Sequence, residues 1–307
     1  MRAAVLLLGL VTTLTFATAC HEPRGPDLSA QRDSLTALLA ARFSAFEQGR
    51  WDEWTRRMSD SVFLTAAEPG RALAGRDTIL RAMQADYAPA FEAGLTTKLT
   101  PVRQQIWMDD SARVAAVTSE LDYALNIQEQ HLALKLRNTA VLSRDSAGWR
   151  VLVEHYSRPV AYDSLFTALV TRKVQAPAPL EQSVDPGAGE LVEEFRRDLR
   201  DFAKAPMADS IVVVTPGEVV QGAALARKTL ATWLGPPGNA TTSSSGIRAG
   251  LAPSATTGWV ATILFVPIFA GPESSVAPVR MLLVYHIAGD HWEIVEAHFS
   301  VGWSGTS

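Results

Sequence analysis

The sequence predicts an α+β protein built as two tandem copies of one plan, helices first and a mostly antiparallel sheet after them. Three observations carry this. The stretch Arg137-Asn-Thr-Ala-Val-Leu, a loop, then Trp149-Arg-Val-Leu-Val-Glu-His155-Tyr-Ser157 returns near the end as Arg280-Met-Leu-Leu-Val-Tyr, a loop, then Trp292-Glu-Ile-Val-Glu-Ala-His298-Phe-Ser300. Arg, Trp, His and Ser recur at one constant offset of 143 residues inside matching strand–turn–strand patterns, the mark of a duplicated unit. In each half, apolar residues first recur at helical spacing and then alternate as in strands. A length of 307 residues suits about two domains.

The first segment is an export signal rather than fold. Met1-Arg2 is a short positive start, Ala3 to Ala17 is an almost continuous apolar run, and Ala17-Thr18-Ala19 supplies small residues before Cys20. Cys20 is the only cysteine, so it has no partner within the chain. A lone cysteine directly after small residues resembles the lipobox of bacterial lipoproteins. That resemblance implies a signal peptide over 1–19, lipidation at Cys20, and a membrane anchor of acyl chains in the cell envelope. Residues 20–30, with His-Glu-Pro-Arg-Gly-Pro-Asp, read as a tether.

The first domain is expected over 31–160. Leu35, Leu38, Leu39, Arg42, Phe43 and Phe46 make one stripe of a helix from Leu28 to Gln48, stopped by Gly49. A short helix, Trp51 to Met58, puts Trp51, Trp54 and Met58 on one face. Val62–Thr65 reads as a strand, and Gly75-Arg-Asp opens a third helix whose stripe of Ile79, Leu80, Met83 and Tyr87 ends at Pro89. Strands follow at about Thr96–Met108, Ala112–Ile127, Gln130–Ser143 and Trp149–Ser157, separated by short polar turns. Residues 161–188, rich in Ala-Pro and Gly, form a linker with a helical piece at Asp163–Lys173.

The plan then repeats, more divergently, over 189–303. Leu191 to Ala203 is a helix, Ile211–Thr215 a strand and Ala223–Leu234 a helix. Gly235-Pro-Pro-Gly then opens a loop in which Asn239-Ala-Thr matches a glycosylation sequon. Strands are expected near Ile247–Pro253, Gly258–Phe269, Ala277–Ile287 and His291–Ser300.

This order of elements resembles the SnoaL-like branch of the nuclear-transport-factor-2-like superfamily. The residues that carry the resemblance are the amphipathic first helix, the aromatic helix Trp51–Met58, Phe63 before Gly75-Arg-Asp, and the ending Gly148-Trp149…His155-Tyr-Ser157. The last of these also resembles the end of the association domain of calmodulin-dependent kinase. The resemblance implies two tandem cone-shaped domains, each a strongly curved, mostly antiparallel sheet wrapped on about three helices, with a pocket at the open end. Superfamily members often dimerise through their sheets, so the two halves are expected to form that dimer within one chain. Some members are isomerases, cyclases or dehydratases and many catalyse nothing, so the fold does not fix the function.

Strand alternation nominates the site. A two-residue turn at Gln128-Glu129 pairs Glu120 with Arg137 and Asp122 with Lys135. If Ser143 faces Trp149, Arg137 lies beside His155, and Glu120, Arg137 and His155 share one face while Tyr123, Leu134 and Leu136 point the other way. Arg280 and His298 are the equivalents in the second half, where Glu296 is the acidic neighbour of His298. With Trp54 at the mouth, the domain is expected to bind a small molecule or a partner protein without catalysis: in the row Arg137 forks onto an anionic or carbonyl group, His155 anchors it, and Glu120 orients them. The same three residues also make sense as a charged cross-strand ladder needing no ligand. A third reading is an acid–base isomerase, dehydratase or hydrolase using His155 and Glu120. No cofactor is implied. The six histidines are scattered without metal-ligand spacing, and a net charge of −4 offers no basic face for nucleic acid.

Overall fold

The computed structural model describes residues 26–68, 70–161, 164, 167, 177, 179–234, 243–270 and 273–302. The export signal, Cys20, most of the tether, nearly all of the helical piece Asp163–Lys173 and the sequon at Asn239 lie outside the described residues. The rest is α+β, two sheets each packed on its own helices.

Helix α1 spans Leu28–Glu47; the Asp27 carboxylate caps it by accepting from the Ala30 amide at 3.1 Å. Gly49, at φ 65°, turns the chain into α2, Trp51–Thr55. This helix ends three residues before the predicted Met58 because the backbone is already being drawn into a sheet. The Arg57 carbonyl accepts from the Val151 amide at 2.8 Å, and Met58 pairs with Val151. Strand β1 is therefore longer than predicted, Met58–Thr65, and makes a hairpin with β2, Ala72–Ala74. Helix α3, Arg76–Glu92, runs through Pro89 instead of stopping there. Strands β3 (Thr96–Met108), β4 (Val114–Ile127), β5 (Gln130–Asp145) and β6 (Gly148–Ser157) complete a six-stranded sheet in the order β2-β1-β6-β5-β4-β3.

The second half begins inside the predicted linker. Strand β7, Ser183–Val184, already pairs with the second sheet. Then come α4 (Gly189–Arg200), β8 (Met207–Val214), β9 (Val219–Gln221), α5 (Ala223–Leu234), β10 (Ser243–Leu251), β11 (Thr257–Ala270), β12 (Glu273–Ala288) and β13 (His291–Val301). The sheet order is β7-β10-β11-β12-β13-β8-β9, which is the first sheet's order with β7 added at one edge. Among the described residues this half has two helices where about three were expected.

The β4–β5 register is the one read from the turn: Glu120 faces Arg137 and Asp122 faces Lys135. The β5–β6 register differs. Ser143 faces Arg150, not Trp149, and a bulge at Leu152 shifts the pairing so that Arg137 faces Ser157 and Thr139 faces His155. An inserted residue flips which side later side chains take. Trp149 and Val151 therefore pack with the helices, whereas Val153, His155 and Ser157 point to the opposite face. The second copy has its bulge at Val295, again 143 residues on, and there Arg280 faces Ser300 and Leu282 faces His298.

Each half has its own core between sheet and helices, one around Leu35, Leu39, Trp54, Ile79 and Leu142, the other around Leu191, Phe195, Leu264, Tyr285 and Phe299. A third cluster joins the two sheets' outer faces. It contains Phe63, Val114, Ala116, Val141 and Val153 from the first half and Trp259, Ala261, Leu282, Val284 and Val295 from the second. Phe63 and Trp259 stack there with ring centroids 6.2 Å apart and planes 6° off parallel.

Candidate functional site

The first sheet has two faces, and they differ in kind. On the helix side, α1, α2 and α3 do not fill the curve of the sheet, which leaves a cavity of about 90 Å³. One water needs roughly 10–15 Å³ by this measure, so there is room for a ring-sized molecule. Phe43 and Phe46 from α1, Trp54 from α2, Met83 and Tyr87 from α3, and Tyr123, Leu136 and Tyr156 from the sheet line it; Glu68, Arg71 and Arg158 also border it. Phe46 is the hub of the aromatic wall, meeting Trp51, Trp54, Tyr87 and Tyr123 edge-on at centroid distances of 5.3, 6.0, 5.6 and 6.2 Å.

Apart from the exposed Glu68 carboxylate at the border, the polar side chains of this cavity can donate. Burial raises the Tyr87 phenol to about 12 and pushes those of Tyr123 and Tyr156 higher still, so all three keep their protons at neutral pH. The Tyr123 hydroxyl is buried without a hydrogen-bond partner among the described residues. Behind Trp54 the wall is braced by a buried ion pair. Arg42 grips Glu154 with two bonds of 2.6 and 3.1 Å, donates a third to the Trp54 carbonyl at 3.2 Å, and lies over the Trp54 ring at 5.3 Å.

The opposite face is a seam against the second half, and here the repeated residues meet. His155 and His298 stack with centroids 4.3 Å apart. His155 Nε2 bonds Ser300 Oγ at 2.7 Å, and His298 Nε2 bonds Ser157 Oγ at 2.8 Å, so each copy's histidine pairs with the other copy's serine. The arginines cross in the same way. Arg137 donates to the Thr215 and Pro216 carbonyls at 2.7 and 3.1 Å, and Arg280 donates to the Ala66 and Glu68 carbonyls at 2.6 and 3.2 Å. A reciprocal exchange of this kind is what an isologous contact consists of.

The seam is buried, and its electrostatics follow from that. Desolvation, then the neighbouring imidazole and Arg280, hold His155 well below its ordinary value; desolvation, then Arg137 and Arg280, do the same to His298. Both rings are neutral at pH 7. Glu296 is also sealed in. It hydrogen-bonds Thr118 and Thr139, and desolvation raises it to about 8, so it holds its proton. It reaches His298 only through Thr139, whose hydroxyl lies 2.9 Å from His298 Nδ1.

These placements correct the row read from the sequence. Arg137 and His155 do share a face, but it is the seam, not the cavity, and they are offset by two residues rather than side by side. Glu120 sits at the border of that seam, 3.5 Å from Arg137 Nε and 30% exposed. Arg280 and His298 lie in the same seam. Of the residues nominated for binding, Trp54 alone lines the cavity. The Ser–His pairs have nucleophile–base spacing, but Ser157 and Ser300 are each 1% exposed, and no substrate can reach them. The acid–base assignment to His155 and Glu120 therefore has no reaction space. Tyr87 and Tyr123, which like Trp54 could line a pocket mouth on sequence grounds, do line it, and Tyr156 and Arg158 join them without having been nominated. The alternation did place Tyr123 and Leu136 on the far side from Arg137, and that was the available signal. Among the described residues no group of three His, Cys, Asp or Glu side chains could hold a metal ion.

Known proteins resemble the first half. A family model described as the SnoaL-like domain matches residues 35–162. No curated protein matches the chain. Solved structures that resemble it include an NTF2-like protein with a cystatin-like fold from Novosphingobium aromaticivorans, 13% identical over 45% of this chain and 88% of that one, TM-score 0.39. A ketosteroid isomerase-like protein from Erwinia carotovora is 19% identical over 41% of this chain and 94% of that one, TM-score 0.33. The matched residues hold most of α1, all of α2 and α3, the six strands of the first sheet and the whole cavity, so the similarity to the SnoaL-like domain covers the first half.

Proposed function

We propose that the protein is an exported lipoprotein, anchored in a bacterial cell envelope through Cys20, that binds a small molecule in the cavity of its first domain without turning it over. The second half, in this reading, is a divergent SnoaL-like copy that serves as the packing partner, so one chain contains what a homodimer would otherwise supply. The observation that carries the binding assignment is the contrast between the two faces. The accessible face has an aromatic cavity with a buried, unpaired Tyr123 hydroxyl, whereas the face with imidazoles and serines is used up in the seam. Support for the pairing comes from the crossed Arg, His and Ser contacts and the doubled bulge.

The test uses the full chain with labelled tyrosine and histidine, titrated with benzyl alcohol and with benzoate. Binding at the cavity shifts the resonances of Tyr87, Tyr123 and Tyr156 and leaves His155 and His298 unmoved. Shifts centred on the histidines, or chemical conversion of the probe, would remove the reading. In the same strain, Cys20→Ser is expected to move the protein from the membrane fraction to the soluble one; retention in the membrane argues against the anchor.

A further inference from the structure

We propose that the cavity selects a small apolar-bodied carboxylate and that Arg158 is the residue that anchors it; this rests on the binding assignment just made and names its ligand class. The body of the ligand is set by the walls, which are aromatic and aliphatic along α1–α3 and the sheet. The charge is set by which polar groups are already committed. Arg71 is ion-paired with Asp86. Glu68 is exposed at the border and solvated. Arg158 forms no ion pair among the described residues, and its Nε is buried without a hydrogen-bond partner. A guanidinium partly withdrawn from water with an unmet donor is stabilised most by an anion.

The tyrosines point to the same class. Tyr123 offers a buried hydroxyl with nothing to donate to among the described residues, and Tyr87 lies close enough to Glu68, Arg71 and Arg158 to feel all three charges. A carboxylate accepts only, at about four lone-pair sites, so it can take bonds from a phenol and a guanidinium together. An ammonium would bring more donors to a site that already has too many, and would face Arg158 with like charge. A neutral alcohol would satisfy one donor and leave the guanidinium as it is.

Calorimetry on the full chain with benzoate, benzyl alcohol and benzylamine separates these cases. Benzoate is expected to bind at least about tenfold more tightly than benzyl alcohol, the worth of a hydrogen bond to a charged group, and benzylamine to bind most weakly. Arg158→Gln should bring benzoate down to the level of benzyl alcohol without changing benzyl alcohol, and Arg158→Lys should restore part of the preference. Unchanged thermal melting of both variants shows that they fold. Equal affinity for the acid and the alcohol, or an equal loss of both in Arg158→Gln, overturns the carboxylate assignment while leaving cavity binding intact. Failure of all three probes to bind overturns both.

Discussion

Arg42→Ala will unfold far more easily than the parent protein, by about 3–5 kcal/mol, the usual cost of leaving one member of a buried ion pair alone. Arg42 is 3% exposed and Glu154 1%, so the carboxylate left behind has no water to turn to. The loss is more than one contact, because Arg42 also holds the Trp54 carbonyl and covers the Trp54 indole. Replacing both partners with apolar residues of similar length, Arg42→Met with Glu154→Leu, should recover most of the loss, since the pair's own net worth is small once both desolvation costs are removed. Urea unfolding followed by tryptophan fluorescence reads the cycle. A single variant within about 1 kcal/mol of the parent, the range of an exposed pair, would mean that α1 does not seal this pair against the sheet.

The second large effect is on the pH dependence of stability, and it has two limbs of opposite sign. His155 and His298 are held well below the ordinary 6.5, so the unfolded chain takes up protons near pH 6.5 that the folded chain refuses. Stability falls as pH drops below about 6.5, with a limiting slope of about 1.4 kcal/mol per pH unit for each ring. Glu296 does the reverse. Raised from 4.5 to about 8, it keeps a proton in the fold that the unfolded chain releases, so its contribution is present below 4.5 and is lost as pH rises through about 8. The charged groups around the three are Arg137 and Arg280, with Glu120 against Arg137. From these groups together, stability peaks near pH 6.5. Glu296→Gln should flatten the limb above the peak and steepen the one below it, because the two imidazoles then act unopposed. Urea midpoints between about pH 5 and about pH 8 give both slopes; a Glu296→Gln profile parallel to the parent's would show that this carboxyl is not protonated in the fold.

Much of the architecture was legible because it depends on period and punctuation. Leu35, Leu39 and Phe43 mark α1, the alternation from Thr96 onward marks the meander, and Gln128-Glu129 fixes one register. The bulges at Leu152 and Val295 were not legible: neither has a glycine, and Val-Leu-Val and Ile-Val-Glu look like ordinary strand. The β5–β6 turn sets the pairing one residue off the expected register and the bulge at Leu152 adds one more, which together move Arg137 two residues from His155. The short strands β2, β7 and β9 also escaped, being too brief to show alternation. The larger miss concerned which face was which. A row of Arg, His and Ser on a strand reads as a wet or ligand-binding face, because buried polar groups need partners. Here each imidazole finds the serine of the other copy, and each arginine finds backbone carbonyls there. The clue was the duplication itself, since a contact between copies requires the same side chains on both sides, whereas a cavity used in one copy alone leaves Trp54 and Tyr123 free to have no equivalents.

The repeated histidines are sealed between the two halves, while the cavity lies on the far side of the first sheet. Following the ring nitrogens of His155 and His298 by NMR from about pH 8 to about pH 5, the range over which an ordinary imidazole titrates, tests it most directly. Both rings are predicted to stay neutral for as long as the protein remains folded, to keep the tautomers set by Ser157 and Ser300, and to be blind to ligand. Titration of either ring near 6.5 in the folded protein would place it in water and break the sealed seam.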